Sequence, residues 1–141
     1  MNISDAGINF IKTAEALRLT AYQDGGGVWT IGYGHTGAVK KNQVCTQVEA
    51  ECWLRADLLG VERCIKNCIV GELTQNQYDA LCSFVYNIGC GAFTKSTLLH
   101  KLNEGDDIGA AEQFARWNHD NGVVVAILTR RREKETELFL A

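Results

Sequence analysis

Apolar residues recur at helical spacing over most of this chain, and one β-rich segment near the N-terminus interrupts them. Two predicted strands, 19–23 and 28–33, flank the turn-forming sequence Asp24-Gly25-Gly26-Gly27. A helix that Ser4 or Asp5 can cap precedes this hairpin. The N-terminal part of the chain is therefore predicted to be a helix followed by a small antiparallel sheet.

Start and stop signals divide the remainder of the chain into predicted helices. Thr46 and Glu49 form a capping box that opens a long helix, and Thr74 and Gly89 bound the next one. Further helices are expected over 96–102, 108–117 and 127–140, with an Asn121-Gly122 turn before the last. The pattern thus predicts an α+β, mainly α-helical fold without repeats or linkers.

Composition and charge narrow the class of protein. The chain has 141 residues, 46% of them hydrophobic and 22% charged, which is typical of one soluble globular domain. A net charge of -3 argues against a nucleic-acid-binding role. Lys12, Glu15 and Arg18 interrupt the first apolar stretch, so we expect neither a signal peptide nor stable membrane insertion.

Two clusters of polar or reactive residues leave alternatives open. The six cysteines allow many pairings, so reduced thiols and disulfides are both compatible with the sequence. No CxxC pair occurs, and His100 and His119 lack ligand spacing, so no metal is expected. The arginines at 130–132 are followed directly by glutamates, which favours a solvated, self-compensating helix face. The cysteines are Cys45, Cys52, Cys64, Cys68, Cys82 and Cys90.

Two carboxyl groups near the N-terminus are expected in contrasting environments, as the acid and the base of glycosidic bond cleavage require. The reaction needs an acid for the leaving oxygen and a second carboxylate to activate water or form a covalent intermediate. Glu15 lies at the end of a largely apolar helix, where the protonated form of a carboxyl group is favoured. Asp24 begins a glycine turn, where solvent keeps a carboxylate ionised. A turn aspartate and a solvated helix-end glutamate are the ordinary alternatives.

A longer pattern around these carboxylates resembles a known family. The sequence runs Arg18-Leu19-Thr20-Ala21-Tyr22-Gln23-Asp24, then Trp29-Thr30-Ile31-Gly32-Tyr33-Gly34-His35. It resembles the tailed-phage lysozymes (endolysins) of glycoside hydrolase family 24, which have a Glu, an Asp nine positions on and a Thr six beyond. Glu15, Asp24 and Thr30 meet both spacings. The resemblance continues through Leu73–Leu81, Ser83–Gly89, Gly91–Phe93, Ser96–Leu99, Arg116–Asn118 and Arg130–Glu133.

The resemblance implies a fold and an activity. The fold would be lysozyme-like, a single domain over 1–141, with a β-containing lobe at about 15–45. A larger helical lobe at about 46–141, together with the N-terminal helix, would complete it, and the two lobes would flank a cleft. The activity would be hydrolysis of the β-1,4 bond between N-acetylmuramic acid and N-acetylglucosamine in bacterial peptidoglycan, with inversion. The setting would be the host cytoplasm, from which a monomer without cofactors reaches the cell wall on lysis.

The resemblance also implies roles for individual residues. Glu15 would protonate the leaving oxygen, while Asp24 and Thr30 hold or activate the water. Substrate contacts map onto Thr36, Tyr86 and Ser96. One of the arginines at 130–132, with Arg131 or Arg132 favoured, would reach Glu15 from the C-terminal helix. His35 is better explained by a structural hydrogen bond within the hairpin than by a proton shuttle.

Two departures from the family pattern and two competing functions accompany this interpretation. Ala16 occupies a position that is usually Gly, and the segment 123–128 is more apolar than expected.

A catalytically inactive peptidoglycan-binding relative would share the pattern. A lytic transglycosylase would cleave the same bond but form an anhydro sugar, and it would not need the water-holding Asp24 and Thr30.

Overall fold

The computed structural model describes residues 1–141 and is 60% helical. The helices and strands in chain order are α1 (Asp5–Glu15), β1 (Arg18–Gln23), β2 (Trp29–Gly32), α2 (Gln47–Cys68), α3 (Gln75–Ile88), α4 (Cys90–Thr94), α5 (Thr97–Asn103), α6 (Asp107–Gln113), a 3₁₀ turn (Phe114–Arg116), β3 (His119–Asp120), β4 (Val123–Val124) and α7 (Ala126–Leu140). Strands β1 and β2 form one two-stranded antiparallel sheet. The predicted α+β, mainly helical class is confirmed. None of the helices is long and apolar enough to cross a membrane.

The helix starts follow the capping signals in the sequence. The Ser4 hydroxyl accepts a hydrogen bond from the N–H of Gly7 at 3.0 Å and so caps α1. Thr46 and Glu49 make the reciprocal bonds of a capping box at the start of α2. Thr74 caps α3 in the same way. Each of these side chains satisfies an amide that the helix itself leaves without a partner, which is why the starts were predictable.

Several short elements differ from the prediction. Helix α4 was not expected, and the predicted helix over 108–117 is split into α6 and the 3₁₀ turn. The Asn121-Gly122 turn is confirmed, with φ values of 51° and 78°. This turn also closes a second hairpin of two-residue strands, β3 and β4. Strands this short carry no detectable hydrophobic alternation, so the sequence pattern missed them.

Residues 9–60 form one compact unit around the first hairpin. Its core is fully buried and includes Ile11, Ile31, Ala50 and Leu54. Gly32 ends β2 with a φ of 69°, and a Cβ there would lie 3.0 Å from the Cβ of Ala50. The hairpin therefore approaches α2 at a point where only glycine fits without displacement.

Residues 1–8 and 61–141 form the second compact unit, which contains an aromatic core. The ring of Phe84 on α3 makes edge-to-face contacts with Phe93, Phe114 and Trp117 at centroid distances of 6.4, 5.1 and 5.7 Å. Phe139 on α7 packs against Phe114 in turn. Edge-to-face pairs add to the free energy of burial, so this cluster fixes α3 against α7 and the segments between them.

One of the open cysteine pairings is present in this second unit. Cys64 on α2 forms a disulfide with Cys90 at the start of α4, with Cα atoms 6.0 Å apart. The other four cysteines are not bonded. No group of three or more histidine, cysteine, aspartate or glutamate side chains is arranged to hold a metal ion.

The expected solvated arginine face is wrong for two of its three arginines. Arg131 and Arg132 are only 7% and 1% exposed, and both lie beside the fully buried Glu135. The Nε atom of Arg132 is 2.9 Å from the Oε1 atom of Glu135, and the Ser83 hydroxyl donates to Oε2 at 2.5 Å. Arg132 also donates to the Oδ1 atom of Asn87 at 2.6 Å. Burial raises the pKa of Glu135, and the charges of the two arginines oppose this effect.

Candidate active site

The first hairpin places Asp24 and Thr30 on the same face. Thr30 on β2 pairs directly with Tyr22 on β1. Cross-strand partners point to the same side of a sheet, and residues two apart along a strand do so as well. Asp24 follows Tyr22 by two positions and continues the pairing through its backbone N–H, which donates to the Val28 carbonyl at 2.9 Å. The hairpin register therefore brings Tyr22, Asp24 and Thr30 together.

The carboxylate of Asp24 has one oxygen committed to the turn. Its Oδ1 atom accepts hydrogen bonds from the N–H groups of Gly26 and Val28, at 2.9 and 2.8 Å. Both bonds involve the same oxygen, so the side chain is oriented while Oδ2 remains available for another partner. The turn role and a chemical role are thus compatible in this exposed residue.

The hydroxyl group of Thr30 can accept a hydrogen bond from a bound molecule but cannot donate one. Its side chain is buried, with 4% of the residue exposed. The hydroxyl donates to the carbonyl oxygen of Val28 at 3.0 Å, which commits its proton. A hydroxyl oxygen has two lone pairs, so Thr30 retains the capacity to accept a hydrogen bond from a water molecule.

Glu15 is the last residue of α1, and the residue after it has an unusual backbone. Ala16 has a φ of 60°, in the left-handed region, and its N–H donates to the Lys12 carbonyl at 3.0 Å to close the helix. Left-handed backbone strongly favours glycine. This explains why the family usually has Gly here, and it places backbone strain directly beside Glu15.

We expect Ala16→Gly to increase the free energy of unfolding by about 1 kcal/mol, because it relieves the left-handed strain at the end of α1. Urea denaturation of both proteins measures the change. The matched control is Ala14→Gly, two residues earlier inside α1, where glycine should instead cost about 1 kcal/mol. Equal destabilisation by both substitutions would show that Ala16 is not strained.

Tyr22 lies opposite Thr30 and two positions before Asp24, and it was not singled out from the sequence. Its ring stacks under the guanidinium of Arg18, whose Cζ atom lies 4.3 Å from the ring centroid. Partial burial is the main cause that raises the pKa of the Tyr22 phenol, followed by the charge of Glu15. The charge of Asp24 raises this pKa further, while Arg18 lowers it. The two-residue offset from Asp24 was the signal that could have identified Tyr22.

Thr36 and His35 follow the hairpin. Thr36 is exposed. The expected hydrogen bond of His35 within the hairpin is wrong for its side chain, because only the backbone of His35 bonds to Ile31. The Nδ1 atom lies 2.7 Å from Oδ2 of Asp57 on α2, and the ring stacks on Trp53 at 4.9 Å. His35 therefore has structural partners of its own.

Ser96 and Tyr86 belong to the other compact unit. Ser96 is 7% exposed and caps α5, accepting from the N–H of Leu99 at 3.1 Å. Its hydroxyl donates to the Phe93 carbonyl at 2.7 Å. This capping role accounts for the serine by itself. Tyr86 is partly exposed on α3.

A helix-end glutamate and a turn aspartate, in a mainly helical chain with a small hairpin, supply the two types of carboxylate that glycoside hydrolases use. The family model described as phage lysozyme matches residues 12–135. The chain therefore belongs to the phage lysozyme family, and it is a hydrolase of peptidoglycan.

Individual relatives agree with this assignment over the whole chain. An endolysin of Acyrthosiphon pisum secondary endosymbiont phage 1 is 48% identical, covering 99% of this chain and 98% of that protein. An endolysin of Salmonella phage P22 is 43% identical, covering 100% and 99%. Among solved structures, the muramidase domain of SpmX from Asticaccaulis excentricus superimposes with a TM-score of 0.93 at 43% identity. That superposition covers 99% of this chain and 98% of the domain.

Proposed function

We propose that the chain is an endolysin-type muramidase with Glu15 as general acid and Asp24 and Thr30 as the water-holding pair. It hydrolyses the β-1,4 bond between N-acetylmuramic acid and N-acetylglucosamine with inversion. The observation that carries the proposal is the hydrogen bonding of the Asp24 carboxylate. Two backbone amides fix its Oδ1 atom, which leaves Oδ2 for a water molecule, and the hairpin register that pairs Tyr22 with Thr30 supports a shared role for Asp24 and Thr30.

The proposed reaction has one displacement step. Glu15 donates its proton to the leaving glycosidic oxygen as the bond to the anomeric carbon breaks. A water molecule attacks the same carbon from the opposite ring face and gives a proton to Asp24. Thr30 accepts the water's second hydrogen bond. Inversion requires room for this water, so we expect a separation of about 6.5–9.5 Å between the Glu15 and Asp24 carboxyl groups.

The wider biological role is part of the same proposal. The hydroxyl groups of Thr36, Tyr86 and Ser96 would bind neighbouring sugars. Residues 1–141 would act as a single domain and a monomer, with lobes at about 15–45 and 46–141. The protein would be made in the host cytoplasm and reach the peptidoglycan when the cell is lysed.

Product analysis tests the proposal directly. Purified protein is incubated with peptidoglycan, and the soluble fragments are identified by mass spectrometry. Reducing-end hydrolysis products are expected, and proton NMR at early times should show the α-anomer formed from the β-linkage. Anhydro ends would identify a transglycosylase instead, an initial β-anomer would identify a retaining mechanism, and no fragments would identify an inactive relative.

We expect Thr30→Ala to lower kcat about tenfold, because one hydrogen bond to the attacking water is lost while both carboxylates remain. Initial rates on solubilised glycan chains measure this. Thr30→Ser, which keeps the hydroxyl, is the matched control and should retain most activity. A serine variant as slow as the alanine variant would show that the hydroxyl is not the important group.

A further inference from the structure

Tyr22 is a partly buried tyrosine whose hydroxyl makes no hydrogen bond to another residue of the chain, and its strand position lies opposite that of Thr30. The phenol ring is held by Arg18 at 4.3 Å, and the hairpin register fixes its backbone opposite Thr30. Partial burial is the main cause that raises the pKa of this phenol, so it stays neutral and keeps its proton. A neutral phenol that is held in place and has no internal partner is a hydrogen-bond donor for a bound molecule.

A count of hydrogen bonds at the attacking water shows what this donor can do. A water molecule has two protons and two lone pairs. In the proposed reaction, Asp24 accepts one proton and Thr30 accepts the other hydrogen bond, because the Thr30 proton is committed to the Val28 carbonyl. One lone pair must point at the anomeric carbon. The remaining lone pair requires a donor, and neither Asp24 nor Thr30 can supply one.

We propose that Tyr22 is a further catalytic residue, whose phenol hydroxyl donates a hydrogen bond to the attacking water beside Asp24 and Thr30. This inference rests on the proposed function. Tyr22 keeps its proton throughout: the water's proton passes to Asp24, and the leaving oxygen takes its proton from Glu15. The hydroxyl completes the water's four hydrogen-bonding positions and so orients its reactive lone pair.

The primary test is Tyr22→Phe, which removes the hydroxyl and keeps the ring that stacks on Arg18. We expect kcat on solubilised glycan chains to fall about tenfold, with little change in KM or in the melting temperature. The matched control is Tyr78→Phe. Tyr78 is a buried tyrosine whose hydroxyl donates to the Oε1 atom of Glu62 at 3.2 Å. Its loss should lower the melting temperature and leave kcat unchanged.

A double-mutant cycle shows whether Tyr22 and Thr30 hold the same water. If they do, Tyr22→Phe should slow the Thr30→Ala enzyme by clearly less than it slows the parent. Losses that multiply fully would overturn the inference, as would a Tyr22→Phe enzyme with kcat equal to the parent. Either result would leave the muramidase proposal intact, because that depends on the products and on Glu15.

Discussion

Glu15→Gln is expected to abolish lysis, with a loss of activity of at least about 100-fold and up to about 10,000-fold. Glutamine is nearly the same size as glutamate and keeps one acceptor oxygen, but it cannot give a proton to the leaving oxygen. Glu15 is a partly buried helix-end residue, so the exchange should preserve the fold. Turbidity loss of a peptidoglycan suspension and circular dichroism measure activity and fold on the same sample.

The matched control for this substitution is Glu112→Gln, at an exposed position on α6. It changes the net charge equally and should lyse peptidoglycan at the parental rate. More than a tenth of parental activity in Glu15→Gln would remove Glu15 from the role of general acid. Equal losses in both variants would show that the effect is not specific to Glu15, because loss of one negative charge should weaken the repulsion between this acidic protein and an acidic cell wall.

The parts of the fold that the sequence predicted well depend on local signals. The caps of α1, α2 and α3 involve side chains within three or four residues of the amides they satisfy. The first hairpin follows from a glycine turn between two β-rich segments. Such interactions are determined by neighbours along the chain, so a pattern reveals them. The shortest strands, β3 and β4, fall below the length at which a pattern exists.

The parts that the sequence did not predict depend on contacts between distant segments. The disulfide joins Cys64 to Cys90, one of many pairings that spacing alone allowed. Likewise, the glutamates that follow the arginine run predicted that these opposite charges pair with one another in solvent. In the structure, Glu135 is the glutamate that is buried beside the arginines. Groups from α3, about fifty residues away along the chain, bond to this cluster. Burial of a charge is decided by tertiary packing.

The candidate site shows the same division. The family resemblance identified Glu15, Asp24 and Thr30 as a set, but a turn aspartate has the same spacing whether or not it acts chemically. The structure adds that Asp24 uses one oxygen for the turn and that Tyr22 pairs with Thr30 across the hairpin. Both facts depend on hairpin register, which the sequence implied only through the two-residue offset.

Glu135→Ala is expected to reduce the free energy of unfolding by about 3–5 kcal/mol. Glu135 is fully buried, and its carboxyl group contacts Arg131, Arg132 and Ser83. Removing it deprives two buried guanidinium groups of a shared partner and leaves a cavity between α3 and α7. Urea denaturation followed by tryptophan fluorescence gives the change.

Glu137→Ala, two residues further along α7, is the matched control because Glu137 is exposed. It removes the same charge from the same helix and should change stability by no more than about 0.5 kcal/mol. A large difference between the two variants would assign the effect to the buried contacts and not to net charge or helix propensity. If Glu135→Ala unfolds at the same urea concentration as Glu137→Ala, the buried cluster contributes no net stability. The cost of desolvating its three charges would then equal their mutual attraction.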